Sequence, residues 1–386
     1  MKTSTDRILT THTGSLPRSQ SLMDIILRRE KGENIDAATF EAATAKAVDE
    51  IVAQQVACGV DIVSDGEMSK PSYTTYIRHR VDGIQMDPRA AEKGRDIMIG
   101  NDLLAHPDFA GRRRNFSDSP FPGCVGPLKY KDRSSLDRDL AHLKAAAAKS
   151  KPADVFMTAP SPGILTRFII NLHYPTEDAY VAALADMMKT EYRAIVEAGF
   201  VLQIDAPDLG SCRNNQYRDL TDDQFRKIAA RNIEALNGAL EGLPADKVRL
   251  HICWGNWEGP HTHDFPLAGL LPVIYGAKVG ALSIEFANPR HQHEYEALRK
   301  NPLPPDMMLI PGVIDTTTNF VEHPEVVANR ICEAVRTVGD RSRVIAGTDC
   351  GFGTSAGNEA VSSDVVWAKL AACHAGADIA SKRLWS

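Results

Sequence analysis

The sequence lacks several features that would assign a class of protein at once. No run of about 18 consecutive apolar residues occurs in it. Its first segment, Met1 to Leu9, is polar and charged and has no apolar stretch of the kind found in secretory leaders. We therefore expect neither a membrane-spanning helix nor a leader, and predict a soluble protein of the cytoplasm.

Cysteine and positive charge are also scarce. The 386 residues include seven cysteines, an odd number without the spacing of a disulfide framework, which favours free thiols in a reducing compartment. The formal net charge of -6 provides no basic surface for phosphate groups, so we expect no nucleic-acid partner. No G-x-G-x-x-G sequence follows a predicted strand, which argues against a dinucleotide-binding open sheet.

What the sequence does contain is a repeated unit of an apolar strand followed by an amphipathic helix. Strands are predicted at residues 8–15, 60–64, 155–158, 200–204, 248–253, 281–285, 307–314 and 344–350. Helices are predicted at residues 37–57, 136–148, 177–198, 222–240, 267–275, 324–338 and 363–375. A β/α unit repeated eight times predicts an α/β protein with a (β/α)8 barrel, the TIM-barrel fold, and an open doubly wound sheet is the alternative.

Residues 70–130 interrupt this alternation after the second strand. The segment combines aromatic and basic residues, among them Tyr73, Tyr76 and Arg78, with a charged stretch that contains proline. Long excursions within compact domains are commonly functional, so we predict a lid-like insertion within a single domain of residues 1–386. The alternative is a peripheral hairpin that serves only packing.

Three predicted strands end in residues of the types that serve as metal ligands. His251 and Cys253 lie two positions apart on one strand, so their side chains share a face. Glu285 ends the next strand and Cys350 ends the last one. One imidazole, two thiolates and a carboxylate suit tetrahedral zinc better than magnesium or calcium, which prefer oxygen ligands. We predict that these four residues bind Zn²⁺.

Other polar residues follow the ends of other strands. Ser15 ends the first strand, Glu67 comes shortly after the second, and Asp205 and Asp315 follow the fourth and seventh. Functional groups of a β/α barrel gather at the carboxyl ends of its strands. We therefore expect all four at the same mouth of the barrel as the metal ligands.

The predicted ligand set favours sulfur chemistry over hydrolysis. A free thiol has a pKa of about 8.5, whereas a thiol on zinc is deprotonated. Two thiolates and a carboxylate leave the zinc site with a formal charge of about -1, which keeps a bound sulfur electron-rich. Sites that activate water carry more neutral histidine ligands. We predict that a thiol acceptor is activated as a zinc-bound thiolate.

These motifs resemble the catalytic barrel of the cobalamin-independent methionine synthase family. The resemblance runs from residues 11–18 (THTGSLPR) to residues 347–351 (GTDCG), and includes single-barrel relatives such as epoxyalkane:coenzyme M transferases. It implies zinc ligands at His251, Cys253, Glu285 and Cys350. It implies thiol-binding residues at His12, Gly14, Ser15, Glu67 and Asp205. It implies catalytic roles for Glu67, Asp205 and Asp315.

The chain also departs from the family pattern. The 386 residues predict one barrel, whereas the full-length synthase of the family has a duplicated amino-terminal barrel as well, and the family's Asp-Glu-Pro-Ala stretch reads Asp-Ala-Pro-Asp at residues 205–208. The family's Asp-x-His, whose histidine protonates the departing donor, reads Asp-Thr-Thr at residues 315–317. A threonine hydroxyl is a poor general acid at neutral pH.

Three functions therefore stay open. The first is transfer of a methyl or other alkyl group to a small-molecule thiol, for which a folate is one candidate donor. The second is addition of a thiol to an epoxide, and the third is a non-enzymatic zinc-binding barrel. The oligomeric state does not follow from the sequence.

Overall fold

Eight parallel strands form a nearly closed barrel in the computed structural model, which describes residues 1–112 and 121–386. Within these ranges the strands are β1 (Leu9–Thr10), β2 (Ile62–Val63), β3 (Val81–Met86), β4 (Pro122–Tyr130), β5 (Asp154–Pro160), β6 (Ile170–Asn171), β7 (Val201–Asp205), β8 (Val248–Ile252), β9 (Ala281–Ile284), β10 (Met308–Ile314) and β11 (Ile345–Thr348). The barrel order is β1-β11-β10-β9-β8-β7-β5-β2, and a bridge between Thr11 and Ile62 joins its two ends. The predicted (β/α)8 barrel is confirmed.

Helices alternate with these strands. They are α1 (Gln20–Glu30), α2 (Ala37–Ala57), α3 (Ile77–Arg80), α4 (Pro88–Met98), α5 (Asn101–Ala105), α6 (Pro107–Arg112), α7 (Ser134–Ser150), α8 (Pro162–Phe168), α9 (Glu177–Glu197), α10 (Asp222–Ala239), α11 (Leu267–Ile274), α12 (Tyr295–Lys300), α13 (Pro324–Val338) and α14 (Ser363–Leu384). None of the helices in the described residues is both long and apolar enough to cross a bilayer. The seven predicted helices all form, although α14 continues well past residue 375.

Capping residues determine where several of these helices begin and end. The Asp36 side chain accepts a hydrogen bond from the Thr39 amide at the start of α2. A reciprocal capping box between Thr221 and Gln224 starts α10. Gly339, with a φ of 78°, ends α13 because glycine adopts this left-handed conformation without a steric cost. Local sequence therefore sets these boundaries.

The barrel interior is apolar away from the mouth, except for Arg249 of β8 and the polar residues that it contacts, among them Gln203 of β7. The interior cluster consists of Leu9, Ile62, Phe156, Val201, Ala281, Met308, Ile310 and Ile345. β8 contributes Arg249 instead, which is 1% exposed and donates hydrogen bonds to Gln203 and Thr11. Its guanidinium lies 3.6 Å from the centroid of the Phe156 ring. Because alternate residues of a strand share a face, an inward Arg249 places His251 and Cys253 inward as well.

The segment after the second barrel strand adds a smaller sheet. β3 and β4 pair as an antiparallel hairpin, and β4 pairs in parallel with the short β6. The predicted long insertion is therefore confirmed. Its role as a lid and the assignment of residues 1–386 to one domain stay predictions. Residues 113–120 of this segment lie outside the described residues.

Candidate metal and substrate site

Two cysteines and a histidine meet at the mouth of the barrel. The Sγ atoms of Cys253 and Cys350 are 3.6 Å apart, and the ligand atoms of His251, Cys253 and Cys350 all lie within 4.8 Å of one another. Two thiolates on one tetrahedral zinc, each bonded at about 2.3 Å, would lie about 3.8 Å apart. A disulfide needs a separation of about 2.05 Å. Both cysteines are free and buried, and their spacing suits a shared metal ion.

His251 has the chemistry of an unsatisfied ligand. Both of its ring nitrogens are buried and neither makes a hydrogen bond of normal geometry. Burial lowers the pKa of the imidazole to about 3, and the charge of Arg249 lowers it further. The ring is therefore neutral at physiological pH, which is the form that binds metals. An orphaned neutral imidazole beside two thiols fits a zinc ion.

Glu285 lies next to this group and is not part of it. Its Oε1 accepts a hydrogen bond from the Trp254 amide at 3.0 Å, and its Oε2 accepts one from Asn288 Nδ2 at 2.9 Å. Burial and then the neighbouring Cys253 raise its pKa well above the ordinary value. The structure thus brings three of the four predicted ligands together and holds the fourth beside Cys253. Ligation by all four stays a prediction.

Asp349 fixes the loops that carry the cluster. Its carboxylate accepts hydrogen bonds from the amides of Phe286, Ala287 and Asn288 at 2.8 to 3.0 Å. These amides follow Glu285 directly, whereas Asp349 precedes Cys350. The ends of β9 and β11 are therefore tied to each other.

A cavity of about 510 Å³ opens beside these residues. Its described lining includes Ser15, Glu67, Asp205, His251, Cys253 and Cys350. These six residues were predicted to lie at one mouth of the barrel, and the structure has them around one cavity. Gly14 lies next to them, where a Cβ would come within 2.4 Å of Thr158 Cγ2, so only glycine leaves room there.

Glu67 is held in a strained conformation with a free carboxylate oxygen. Its φ is +61°, which is rare for a residue with a side chain. Its Oε1 accepts a 2.6 Å hydrogen bond from Thr158 Oγ1, whereas its Oε2 is buried without a partner. Lys70 Nζ donates to the backbone oxygen of Thr158 at 2.7 Å and holds that residue in place. A strained backbone together with an orphaned buried oxygen is typical of a functional residue.

Asp205 is the second carboxylate of the cavity and is paired with the strand that carries the metal cluster. Its Cα register partner on β8 is His251, and its Oδ1 accepts a 2.7 Å hydrogen bond from Gln203 Nε2. Burial raises its pKa well above the ordinary value, and the charge of Glu67 raises it further. A cationic group bound between the two carboxylates would relieve their repulsion.

His12 lies beneath this cavity and is not among its lining residues. Its Nδ1 accepts from the Gly14 amide at 3.1 Å, and its Nε2 bonds to Gln55 Oε1 at 2.7 Å. Burial lowers its pKa to about 3. One nitrogen is thus bonded to Gly14 and the other to Gln55, and a direct contact of His12 with substrate stays a prediction that this geometry does not favour.

Asp315 faces a second, smaller cavity of about 170 Å³ that also reaches Cys350. Its Oδ1 accepts hydrogen bonds from Thr317 N and, at 2.9 Å, from Thr317 Oγ1. Its own amide donates to Glu322, which forms a buried ion pair with Lys369. The structure therefore separates Asp315 from Glu67 and Asp205, and its catalytic role stays a prediction.

Asp102 joins the insertion to the loop after β8. Its carboxylate accepts hydrogen bonds from Thr262 N, Thr262 Oγ1 and His263 N at 2.9 to 3.1 Å, and from Asn214 Nδ2 at 2.8 Å. Asp102 and its neighbour Leu103 also line the larger cavity. The insertion and the loop that follows the metal residues are thus held together at the cavity wall.

A buried histidine stabilises the same loop. His291 is hydrogen-bonded to Asp264 at 3.0 Å and to Glu294 at 2.8 Å, and its ring lies 4.3 Å from that of Trp254. Burial acts to lower its pKa, but the two carboxylates outweigh it and raise the pKa to about 10. His291 is therefore charged at neutral pH.

The described residues include a second group that could hold a metal, formed by Asp102, His261 and Asp264. Both ring nitrogens of His261 are already hydrogen-bonded, one to Asp264 and the other to the backbone oxygen of Trp257. A hydrogen-bond network accounts for this group without an ion.

Two residues of the site escaped the sequence analysis, one that holds Glu67 and one in the cavity wall. Thr158 lies near the end of the third barrel strand, so the strand-end rule could have found it. Arg167 lies in α8, where no local pattern distinguishes it from a surface arginine. Its place in the cavity wall depends on the packing of that helix.

Comparison with known proteins assigns the family. Residues 139–372 match the family model described as cobalamin-independent synthase, catalytic domain, and the chain belongs to this family. It is 24% identical over 346 residues to 2-hydroxypropyl-CoM lyase of Xanthobacter autotrophicus, covering 82% of this chain and 81% of that protein. It is 24% identical over 326 residues to methionine synthase of Saccharolobus solfataricus, covering 83% and 81%. The predicted resemblance is confirmed.

A solved structure shows the same fold. The B12-independent methionine synthase from Shewanella sp. W3-18-1 superposes with a TM-score of 0.74 at 21% identity, covering 98% of this chain and 99% of that one. At that level of identity the likeness establishes the architecture alone.

Proposed function

We propose that this protein is a zinc-dependent enzyme that transfers a methyl or other alkyl group to a small-molecule thiol. The observation that carries the proposal is the group of His251, Cys253 and Cys350, with a sulfur separation of 3.6 Å, at the wall of a cavity of about 510 Å³. Catalytic zinc sites have three protein ligands and leave a position for substrate. Structural sites use all four positions for protein side chains.

Zinc held by these residues, with Glu285 beside them, would keep an incoming thiol deprotonated and its sulfur nucleophilic. The protein around it supplies orientation. Glu67 and Asp205 are placed to accept hydrogen bonds from an ammonium group, and Ser15 offers a hydroxyl on the same wall. The free Oε2 of Glu67 is the strongest of these candidates because it lacks a partner.

The insertion supports closure over this cavity. Residues 71–75 and 98–103, both within the predicted lid, contribute to its described wall. We propose that this part of the 70–130 segment is a lid within a single catalytic domain. The β3-β4 hairpin contributes none of the described lining and fits the alternative role in packing.

A second candidate function is reaction of a thiol with an epoxide. The observation that favours it is Thr317, whose hydroxyl donates to Asp315 where a donor-protonating histidine would be expected. A strained epoxide opens without the loss of a folate nitrogen, and a relative of this chain is named as a 2-hydroxypropyl-CoM lyase. Assays with epoxypropane and with 5-methyltetrahydrofolate would separate the two candidates.

X-ray absorption at the zinc edge, combined with metal analysis, tests the main proposal. We expect about one zinc per chain with sulfur and nitrogen neighbours, and additional sulfur when homocysteine or 2-mercaptoethanesulfonate is added. Calorimetry in buffers of different ionisation enthalpy should detect proton release, because the thiol enters as a thiolate. A bound metal with no thiol-dependent change would instead support the non-enzymatic zinc-binding barrel.

A further inference from the structure

Arg167 is the one lysine or arginine among the described residues that line the larger cavity. The other charged groups of this wall are carboxylates, thiols or the neutral His251. Two of the carboxylates are already occupied, since Asp102 holds the loop after β8 and Glu30 pairs with Arg78. A ligand therefore meets one positive group on a mainly negative wall.

The guanidinium of Arg167 has weak partners. Its Nη1 donates to Ser211 Oγ at 3.2 Å and its Nη2 contacts Met98 Sδ at 3.5 Å, while its buried Nε has no partner. The guanidinium also contacts the neighbouring Phe168 ring, whose centroid lies 5.3 Å from the guanidinium carbon, and no carboxylate of the described residues forms an ion pair with it. Arginine presents a planar fork of donors that matches the oxygens of a carboxylate or sulfonate. A half-buried guanidinium without an anion is therefore prepared for an oxyanion that the protein itself does not supply.

This side chain lies close to the thiol pair. The Ser211 amide donates a 3.1 Å hydrogen bond to the backbone oxygen of Cys253, so the residue that touches Arg167 also touches the metal cluster's strand. Tyr73, which packs edge-on against Phe168, lines the same cavity as Arg167 and the two cysteines. Arg167 and the sulfur pair therefore belong to one cavity wall.

We infer that Arg167 binds the carboxylate or sulfonate of the thiol acceptor, so that the enzyme accepts acidic thiols and discriminates against neutral ones. This inference rests on the proposed function. An amino-acid thiol would place its carboxylate on Arg167 and its ammonium near Glu67 and Asp205. A sulfonate thiol would use Arg167 alone, and Glu67 would be left without a cationic partner.

Paired thiols test the inference on the zinc-loaded protein. Each pair differs in one anionic group, namely homocysteine against its methyl ester and 2-mercaptoethanesulfonate against 2-mercaptoethanol. Calorimetry measures the affinities without any alkyl donor, and zinc-edge spectroscopy reports whether the thiol reaches the metal. We expect the wild-type protein to prefer the acidic member of at least one pair by about ten- to hundredfold, the usual range for hydrogen bonds to a charged group.

Substitutions then assign this preference to the arginine. Arg167→Gln should abolish it by weakening only the acidic thiol, and Arg167→Lys should restore part of it, since charge returns without the fork. Arg336→Gln, at an exposed arginine in a surface ion pair, is the matched control and should change neither affinity. Zinc content should stay at the wild-type level in all three variants.

Several outcomes would overturn the inference. The first is a wild-type protein that binds both members of each pair equally well. This result would overturn the inference without any variant, so the test holds even if Arg167→Gln fails to fold. A second is that Arg167→Gln weakens the binding of acidic and neutral thiols equally. A third is that it has an effect only when 5-methyltetrahydrofolate is present. Either result would show that Arg167 does not bind the thiol acceptor. In each of these cases thiol-dependent changes at the zinc edge would leave the proposed function standing. If no thiol changes the edge, the proposed function fails and this inference fails with it.

Discussion

Gly14 is the position where a single methyl group tests the structure of the site most directly. Its φ of +131° lies in the region that residues with side chains avoid, and an added Cβ would come within 2.4 Å of Thr158 Cγ2. Strain of this kind costs about 1 to 3 kcal/mol. The steric overlap in a packed interior adds about 1 to 3 kcal/mol. We predict that Gly14→Ala lowers the free energy of unfolding by about 2 to 6 kcal/mol.

Two further variants separate the strain from the overlap. Gly199 also has a positive φ, of +94°, but nothing lies within 4 Å of its added Cβ, so Gly199→Ala should show the strain alone. Thr158→Ser removes the obstructing methyl and keeps the hydroxyl that donates to Glu67. In the double variant Gly14→Ala/Thr158→Ser, the overlap is relieved. The double variant should therefore be more stable, by about 1 to 3 kcal/mol, than the sum of the two single effects predicts.

Guanidinium unfolding of the four variants and the wild-type protein measures these differences, provided that the slopes of the transitions agree. Because the hydroxyl of residue 158 remains, the double variant should also keep the thiol affinity of the Thr158→Ser protein. The reasoning would be refuted if Gly14→Ala were no more destabilising than Gly199→Ala, or if the serine recovered nothing. Either result would mean that Gly14 does not approach Thr158 as closely as the structure has it.

Three other predictions follow from the site. Cys350→Ser should lose most of the zinc measured by metal analysis, whereas Cys332→Ser, at a half-buried cysteine of α13, should keep it; full retention in Cys350→Ser would exclude Cys350 as a ligand. His291→Gln should lower the melting temperature most below about pH 6.5, and the difference from wild type should vanish as the pH rises through about 10, since the raised pKa stabilises the fold only while the folded histidine binds the extra proton; a constant difference across this range would contradict the charged state. Asp102→Ala should increase hydrogen exchange in residues 101–106 and weaken thiol binding with zinc content unchanged, because the buried carboxylate makes four hydrogen bonds to the loop after β8 and one to Asn214; protection equal to wild type would argue against this anchor.

Local patterns in the sequence were sufficient for the barrel. Apolar runs of strand length and helices of 3.6-residue periodicity depend on near neighbours, so eight strands and seven helices were predicted, although β1 ends earlier and α14 ends later than expected. The short α12 was missed because its six residues carry too few turns for a clear period, and the longer α1 was missed as well. The sheet of β3, β4 and β6 also went unpredicted, since its strands come from distant parts of the chain.

Part of the candidate site could also be predicted from local patterns in the sequence. The pair His251 and Cys253 could be found from a spacing of two on one strand, and the strand-end rule placed Ser15, Glu67, Asp205 and Cys350 at the same mouth. These predictions needed only the direction of each strand and the parallel order of the barrel. The sequence therefore determined which side chains face the mouth.

Only the tertiary structure decided how those side chains differ. The register between neighbouring strands and the packing of loops left Glu67 with a free oxygen and tied Glu285 to Trp254 and Asn288. They also engaged one nitrogen of His12 with Gly14 and the other with Gln55. The same packing placed Arg167 in the cavity wall, where it is the one lysine or arginine among the described lining residues. Hydrogen-bond partners and burial are set by groups far apart in the chain, and for that physical reason no local pattern could assign them.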